Sequence, residues 1–358
     1  MENKIEKLLL ELDHPELNQK FISKKNIKLI DIKEEEIYLS IELNFPYKSQ
    51  TYLYEKIIRD EINKITNIQT NFEWSTKILA RQVQKSVNSI KGIKNVIAIA
   101  SGKGGVGKSS TAANLALALS YEGANVGILD ADIYGPSQPK MMGIAKKPDS
   151  KDGKSMEPIV AHGIQAMSIG FLVDQETPMV WRGPMVTSTL EQLLKETNWD
   201  ELDYLIIDLP PGTGDIQLTL AQKIPVTGSI IVTTPQDIAL LDARRGLKMF
   251  EKVNIPILGI VENMSTHICS KCGHEEFIFG KDGGTKICQD YNTELLGSLP
   301  LDIKIRENLD AGIPSVIDNP DSEISLIYKS IARKAALKIA NLSEDHSSKF
   351  PNIVIQQS

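Results

Sequence analysis

The chain has 358 residues, 41% of them hydrophobic and 24% charged, which is ordinary for a globular protein and enough chain for two domains. Its formal net charge of -6 excludes a surface built as a whole to wrap nucleic acid, because neutralising phosphates needs a basic face. Three cysteines, Cys269, Cys272 and Cys288, cannot make a disulfide framework, the N-terminal stretch does not read as a secretory leader, and no run of about 18 apolar residues appears; a cytoplasmic location without a membrane partner is expected.

Residues 1–75 read as a small α+β domain. Ile5, Leu8, Leu9 and Leu12 recur at helical spacing. Ile27–Ile32 and Glu36–Asn44 read as strands, the second alternating Ile37, Leu39, Ile41 and Leu43 onto one face. Tyr52–Ile65 follows as a helix with Leu53, Ile57, Ile58 and Ile62 on its apolar side. Residues 76–94 are basic and weakly periodic, a linker with some helical content. From Asn95 apolar strands alternate with helices: Val96–Ala100, the helix Lys108–Tyr121, then Asn125–Leu129, Tyr204–Ile207, Ser229–Thr233, Ile257–Val261 and Leu295–Leu299. Continuous apolar runs suit parallel strands buried on both faces. The βαβα order predicts a doubly wound, mostly parallel α/β domain over 95–343, closed by a helix at Leu326–Ile339 and followed by a polar tail, 344–358.

The run Ser101-Gly102-Lys103-Gly104-Gly105-Val106-Gly107-Lys108-Ser109-Ser110 sits between an apolar strand and an Ala/Leu-rich helix and satisfies G-x-x-x-x-G-K-[ST]. Its glycines let backbone N–H groups turn toward phosphates, the helix start adds its positive end, Lys108 supplies a cation, and Ser109 offers Mg²⁺ an oxygen. ATP binding through Gly102–Ser110 and hydrolysis are therefore expected. Asp130, Asp132 and Asp208 lie at strand C-terminal ends, where ligand crevices of open α/β sheets form. Asp208 fits the Mg²⁺-holding acid of P-loop enzymes. Asp215, just before a helical stretch, reads as a helix cap.

In His267-Ile-Cys269-Ser-Lys-Cys272-Gly-His274, C-x-x-C brings two thiolates onto one metal, which is half a tetrahedral site. His267, His274, Cys288 or the same cysteine pair from a second subunit would complete it. Cys288, in a helical stretch, reads as an inert buried thiol. The following Glu275–Gly280 run looks like a hairpin, unlike the helix that follows a thioredoxin-type C-x-x-C. A zinc knuckle and a Cys₄ iron–sulfur cluster shared across a dimer both fit.

The KGGVGKS loop resembles the deviant Walker A of a class of dimeric ATPases. SGKGGVGKSS, LDADIYGPSQP, WRGPM, IDLPPGTGD, ENMS, CSKCG and the IFG-x-GG that follows, in that order from about Asn95 to about Ser315, together resemble the Mrp/ApbC family of P-loop iron–sulfur cluster carriers, and the N-terminal unit is similar to the small domain that often precedes this ATPase. The resemblance implies an ATP-dependent homodimer in which Lys103 reaches the partner's nucleotide. It implies that Asp132 orients or deprotonates the attacking water, that Asp130 joins Ser109 and Asp208 in supporting Mg²⁺, that Gly212–Gly214 senses the γ-phosphate, and that Asn263 reads the adenine edge. It also implies that Cys269 and Cys272 of two subunits hold a [4Fe–4S] cluster destined for apo-proteins, received from assembly scaffolds. An Asn ending a strand is also a common turn residue, and Arg182 reads equally as a phosphate contact, a partner contact or a surface charge. One departure is the Asn44–Ser49 stretch, which lacks the cysteine that the family's small domain often carries. The alternative reading is a regulatory ATPase switch with structural zinc at the C-x-x-C.

Overall fold

The computed structural model describes residues 1–17, 19–33, 35–84, 87–173 and 183–345. Within the first 76 residues, α1 (Glu2–Glu11) and α2 (Thr51–Ile62) accompany a sheet of β1 (Ile27–Ile32), β2 (Glu36–Leu43) and β3 (Gln69–Thr76) in the order β1-β2-β3. The alternation in β2 does what it predicts: Ile37, Leu39, Ile41 and Leu43 are all buried. On α2 the buried row is Tyr54, Ile58 and Ile62, while Leu53 faces solvent. β3 is not legible as a strand because its run is mostly polar. Parallel pairing with β2, from Glu36–Gln69 to Leu43–Thr76, defines it.

The larger unit is built on an eight-stranded sheet. Its strands are β4 (Ile93–Ala100), β5 (Val126–Asp130), β6 (Ile159–Ala161), β7 (Ile164–Ser168), β8 (Leu202–Asp208), β9 (Gly228–Thr233), β10 (Ile257–Glu262) and, after a small hairpin of β11 (His267–Ile268) and β12 (Glu275–Glu276), β13 (Leu295–Ser298). The order is β13-β10-β9-β4-β8-β5-β7-β6, parallel throughout except for β6 against β7. Every residue of β8 and β9 is buried, as expected of strands covered on both faces. The helices are α3 (Lys108–Tyr121), α4 (Gln138–Met141), α5 (Gly183–Lys195), α6 (Asp215–Lys223), α7 (Asp237–Lys252), α8 (Gly283–Asp290), α9 (Ile303–Asp310), α10 (Ser315–Asp318) and α11 (Glu323–Ala340). α3 is buried on nearly every face because it lies between the sheet and α11. That explains its Ala- and Leu-rich composition: small side chains admit close approach on all sides.

The 77–92 segment carries no helix among its described residues, so the helical content expected there is absent. It is held against the larger unit: Arg81 N–H donates to Asn95 Oδ1 (3.2 Å), Arg81 Nη1 to the Leu342 carbonyl (3.0 Å) and Gln82 N–H to the Ser343 carbonyl (3.0 Å). The two units also share a buried ionic cluster. Arg333 on α11 donates to Glu16 Oε2 (2.8 Å) and to Glu122 Oε1 (2.6 Å) at the C-terminal end of α3, and Glu122 also accepts from the backbone and hydroxyl of Ser49. The far end of the phosphate-loop helix is thus where the N-terminal unit sits. No helix among the described residues is long and apolar enough to cross a membrane. Arg182 and tail residues 346–358 lie outside the described residues.

Candidate functional site

Four strand ends converge. The loop after β4 becomes the N-terminus of α3, and β5, β8 and β10 deliver Asp130, Asp208 and Asn263 beside it, the crevice position expected at carboxyl ends of an open parallel sheet. The loop turns sharply at Gly107, whose φ of +83° suits glycine. A Cβ there would lie 2.0 Å from Asn263 Nδ2. Gly102 is equally constrained, because its Cβ would meet the Asp242 backbone of α7 at 2.2 Å. Lys103, Gly104 and Gly105 are exposed, Val106 and Lys108 are buried, and Gly107, Ser109 and Ser110 are partly covered.

Lys108 Nζ forms an ion pair with Asp208 Oδ1 and lies 3.1 Å from Ser109 Oγ. The two charged side chains are 6% and 0% exposed. Lys108 thereby neutralises an acid that would otherwise be stranded in the core. Asp208 Oδ2 accepts from Gln138 Nε2 at 2.9 Å, and the same nitrogen donates to the Ser109 carbonyl at 3.0 Å. A hydroxyl (Ser109) and a carboxylate (Asp208) side by side are hard oxygen donors of the kind that hold Mg²⁺, so the residues present fit that ion.

Asp130 plays a different part from the other acids. Its carboxylate accepts the N–H groups of Asp132 (3.1 Å), Ser137 (3.0 Å) and Gln138 (3.0 Å) and the Ser168 hydroxyl (3.1 Å). Burial, then the nearby Asp208 charge, pushes its pKa up to about 7. Three of these bonds, from Asp132, Ser137 and Gln138, fold the 131–138 loop onto the carboxylate. Asp132 is half-buried, and its pKa is raised by burial and by Asp208 while Lys108 opposes the rise, a setting that suits a group exchanging a proton. Asn263 Nδ2 donates to the Val106 carbonyl (2.9 Å): here it clamps the phosphate loop. Gly212 N–H donates to the Ser101 carbonyl (3.0 Å), tying the Gly212–Gly214 turn to the same loop.

The two cysteines sit at the tip of the β11–β12 hairpin. His267 pairs with Glu276 and Ile268 with Glu275, Cys269 N–H donates to the His274 carbonyl (2.9 Å) and Gly273 N–H to the Cys269 carbonyl (2.8 Å). Cys272 is exposed and Cys269 partly so. Backbone N–H groups of Lys271 and Cys272 lower the Cys269 pKa, favouring the thiolate that binds metal. His267 Nδ1 is bonded to the Leu301 carbonyl (3.1 Å). Cys288 is buried on α8, its pKa pushed up to about 11 by burial, which fits an inert thiol. No group of three or more His, Cys, Asp or Glu side chains able to hold a metal is present among the described residues. A metal held by the cysteine pair would need ligands from outside that set. Ile268, Phe277 and Ile278 of the hairpin region are exposed, as are Ile238 and Leu241 of α7, and the start of α8 packs on α7: a Cβ at Gly283 would meet Leu240 Cδ1 at 2.8 Å.

A family model described as "ParA: NUBPL iron-transfer P-loop NTPase" matches residues 92–336. The chain belongs to this family. Similar curated proteins include the iron-sulfur cluster carrier protein of Haemophilus influenzae, 49% identical over 94% of this chain and 92% of the relative, and that of Escherichia coli, 50% identical over 92% and 90%. The mouse iron-sulfur cluster transfer protein NUBPL is 48% identical over 75% and 85%. Among solved structures, an Archaeoglobus fulgidus nucleotide-binding protein in complex with ADP is 35% identical over 65% of this chain and 90% of its own, with a TM-score of 0.56. The Pyrococcus furiosus cell division ATPase MinD, 22% identical with a TM-score of 0.50 over 67% and 97%, shares the fold. The resemblance to the P-loop iron–sulfur carriers and the doubly wound α/β fold class are both borne out.

Proposed function

We propose that this protein is an ATP-hydrolysing carrier that holds a [4Fe–4S] cluster as cargo between two copies of the chain and delivers it to apo-proteins. The observation that carries the reading is the cysteine pair: two accessible thiols on an exposed hairpin, without a third protein ligand among the described residues, on a segment that also exposes Ile268 and Ile278. A second copy supplies two more thiolates and covers the apolar rim, giving the Cys₄ set such a cluster needs. The names of the relatives favour this cargo over structural zinc in a regulatory switch.

At the other end, Gly102–Ser110 would cradle the phosphates, with Ser109 and Asp208 holding Mg²⁺, which supplies charge neutralisation when bound. Lys108 would exchange Asp208 for phosphate. Asp132 would orient or deprotonate the attacking water, and Lys103, exposed on the loop, would reach the partner's nucleotide. Asn263, whose amide holds the Val106 carbonyl, would meet the adenine edge. Assembly scaffolds as donors and a cytoplasmic setting complete the reading.

The test is anaerobic reconstitution with iron and sulfide, followed by visible spectroscopy, iron analysis and sizing, on wild type and on Cys269→Ala/Cys272→Ala. Broad cluster absorbance at about two iron atoms per chain in a dimer, lost in the variant, is expected. Tightly held zinc with no iron uptake would sink the proposal.

A further inference from the structure

Gln138 is the most constrained polar side chain in the crevice to which the family reading assigns nothing. It opens the four-residue α4, directly after the loop pinned by Asp130, and is 1% exposed. Its own N–H is held by Asp130 Oδ2 at 3.0 Å. Its side-chain nitrogen donates to two acceptors, Asp208 Oδ2 (2.9 Å) and the Ser109 carbonyl (3.0 Å). That pair fixes the orientation of the amide, since a flip would set Oε1 against two oxygens that cannot donate. Oε1 is left buried and without a hydrogen-bond partner among the described residues, a state that costs stability unless a ligand or water relieves it.

We propose that Gln138 is a positioning residue for the metal–nucleotide complex, resting on the nucleotide reading above. Its NH₂ group joins the two elements that carry the oxygen donors, the start of α3 through Ser109 and the end of β8 through Asp208. With Oδ2 of Asp208 bound to Gln138, Oδ1 is the oxygen left facing Lys108, and it becomes available when Lys108 turns to phosphate. The orphaned Oε1 is an acceptor for a water of the metal's hydration shell, and Mg²⁺ keeps several such waters because it dehydrates reluctantly. Asp130 acts one step further back, by fixing the backbone from which Gln138 projects. Carboxylate ligands are commonly oriented by such outer partners, whose loss costs about 10–100-fold in metal affinity.

The test uses the full chain, a fluorescent ATP analogue and Mg²⁺ or Mn²⁺. Gln138→Met keeps the length and volume of the side chain and removes both hydrogen-bonding functions; thermal unfolding establishes that it folds. Nucleotide is titrated in EDTA, and the metal dependence of binding is measured separately, by fluorescence with Mg²⁺ and by electron paramagnetic resonance with Mn²⁺. Metal-free nucleotide affinity within about twofold of wild type, with the metal concentration at half-effect raised about tenfold or more, is the expected result. An unchanged metal dependence overturns the proposal. So does an equal loss of affinity with and without metal, because that marks a structural prop of the loop. A wild-type protein that binds no nucleotide overturns the nucleotide reading and this inference with it, an outcome distinct from a wild type that binds and a variant that matches it.

Discussion

Replacing Lys108 by alanine is the obvious way to disable a P-loop, and in this protein the change also breaks a buried ion pair. Lys108 is the cation paired with Asp208, and both side chains are in the core at 6% and 0% exposure. Breaking a buried ion pair from one side costs about 3–5 kcal/mol, because the remaining charge is uncompensated. Gln138 still donates to Asp208 Oδ2, so the lower end of that range, about 3 kcal/mol, is expected. With a denaturant slope of about 3 kcal/mol per molar, the urea midpoint of the larger unit falls by about 1 M. Adding Asp208→Asn removes the stranded charge and returns most of the lost stability without restoring nucleotide binding. Urea unfolding of wild type, the single variants and the double variant, followed by tryptophan fluorescence, measures the coupling directly. A Lys108→Ala midpoint within about 0.2 M of wild type, or strictly additive single and double variants, would refute the reasoning.

Lys103→Ala is expected to leave nucleotide affinity within about twofold and to lower the hydrolysis rate by about a hundredfold, the scale of one lost transition-state cation; wild-type turnover would dismiss a role across the dimer. Arg333→Met strands Glu122 and Glu16 where the two units meet, and a loss of about 3 kcal/mol is expected, read as earlier urea unfolding and faster proteolysis in 77–92. His14, bonded to the Tyr54 hydroxyl at 2.8 Å within an aromatic cluster, has its pKa lowered to about 4, chiefly by burial. The folded form therefore binds fewer protons than the unfolded chain between pH 6.5 and about 4, so stability falls as pH drops through that window, by about 3 kcal/mol when complete. His14→Gln flattens that dependence, and unchanged pH dependence in the variant would count against it.

The parallel sheet and the phosphate loop are legible in the sequence for a physical reason. A strand covered on both faces must be continuously apolar, as Leu205, Ile206 and Ile207 are, and a loop wrapping phosphate must carry glycine where φ turns positive, as Gly105 and Gly107 do. β3 is hidden because Gln69–Thr76 owes its conformation to a partner strand and not to its own pattern. Gln138 is hidden for a similar reason. Its Pro-Ser-Gln-Pro surroundings announce a turn, but that its amide lies between Asp208 and Ser109 follows only from three strand ends meeting in space. Asp130 and Asp132 look equivalent in Leu-Asp-Ala-Asp. Their roles separate through the loop itself, which folds back so that Ser137 and Gln138 consume one carboxylate and leave the other half-exposed.

The nucleotide loop and the cysteine hairpin are joined at both ends of one segment. Asn263 holds the Val106 carbonyl and packs on Gly107 without room for a Cβ, and six residues later the chain reaches Cys269. On the return side, Gly283 packs against Leu240 and Pro235 at the start of α7, and Asp242 of the same helix lies against Gly102. Contacts this close leave little slack to absorb a displacement of the loop. Proximity of this kind is a condition for communication, and its strength is a separate quantity, the coupling free energy. Because that quantity is reciprocal, a nucleotide that changes the grip on the cluster by some factor must have its own affinity changed by the same factor when the cluster is bound. Nucleotide titrations of cluster-loaded and cluster-free protein, run without hydrolysis, therefore measure the effect of ATP on the cargo without following the cargo, and equal affinities would mean that the two sites share a scaffold but no signal.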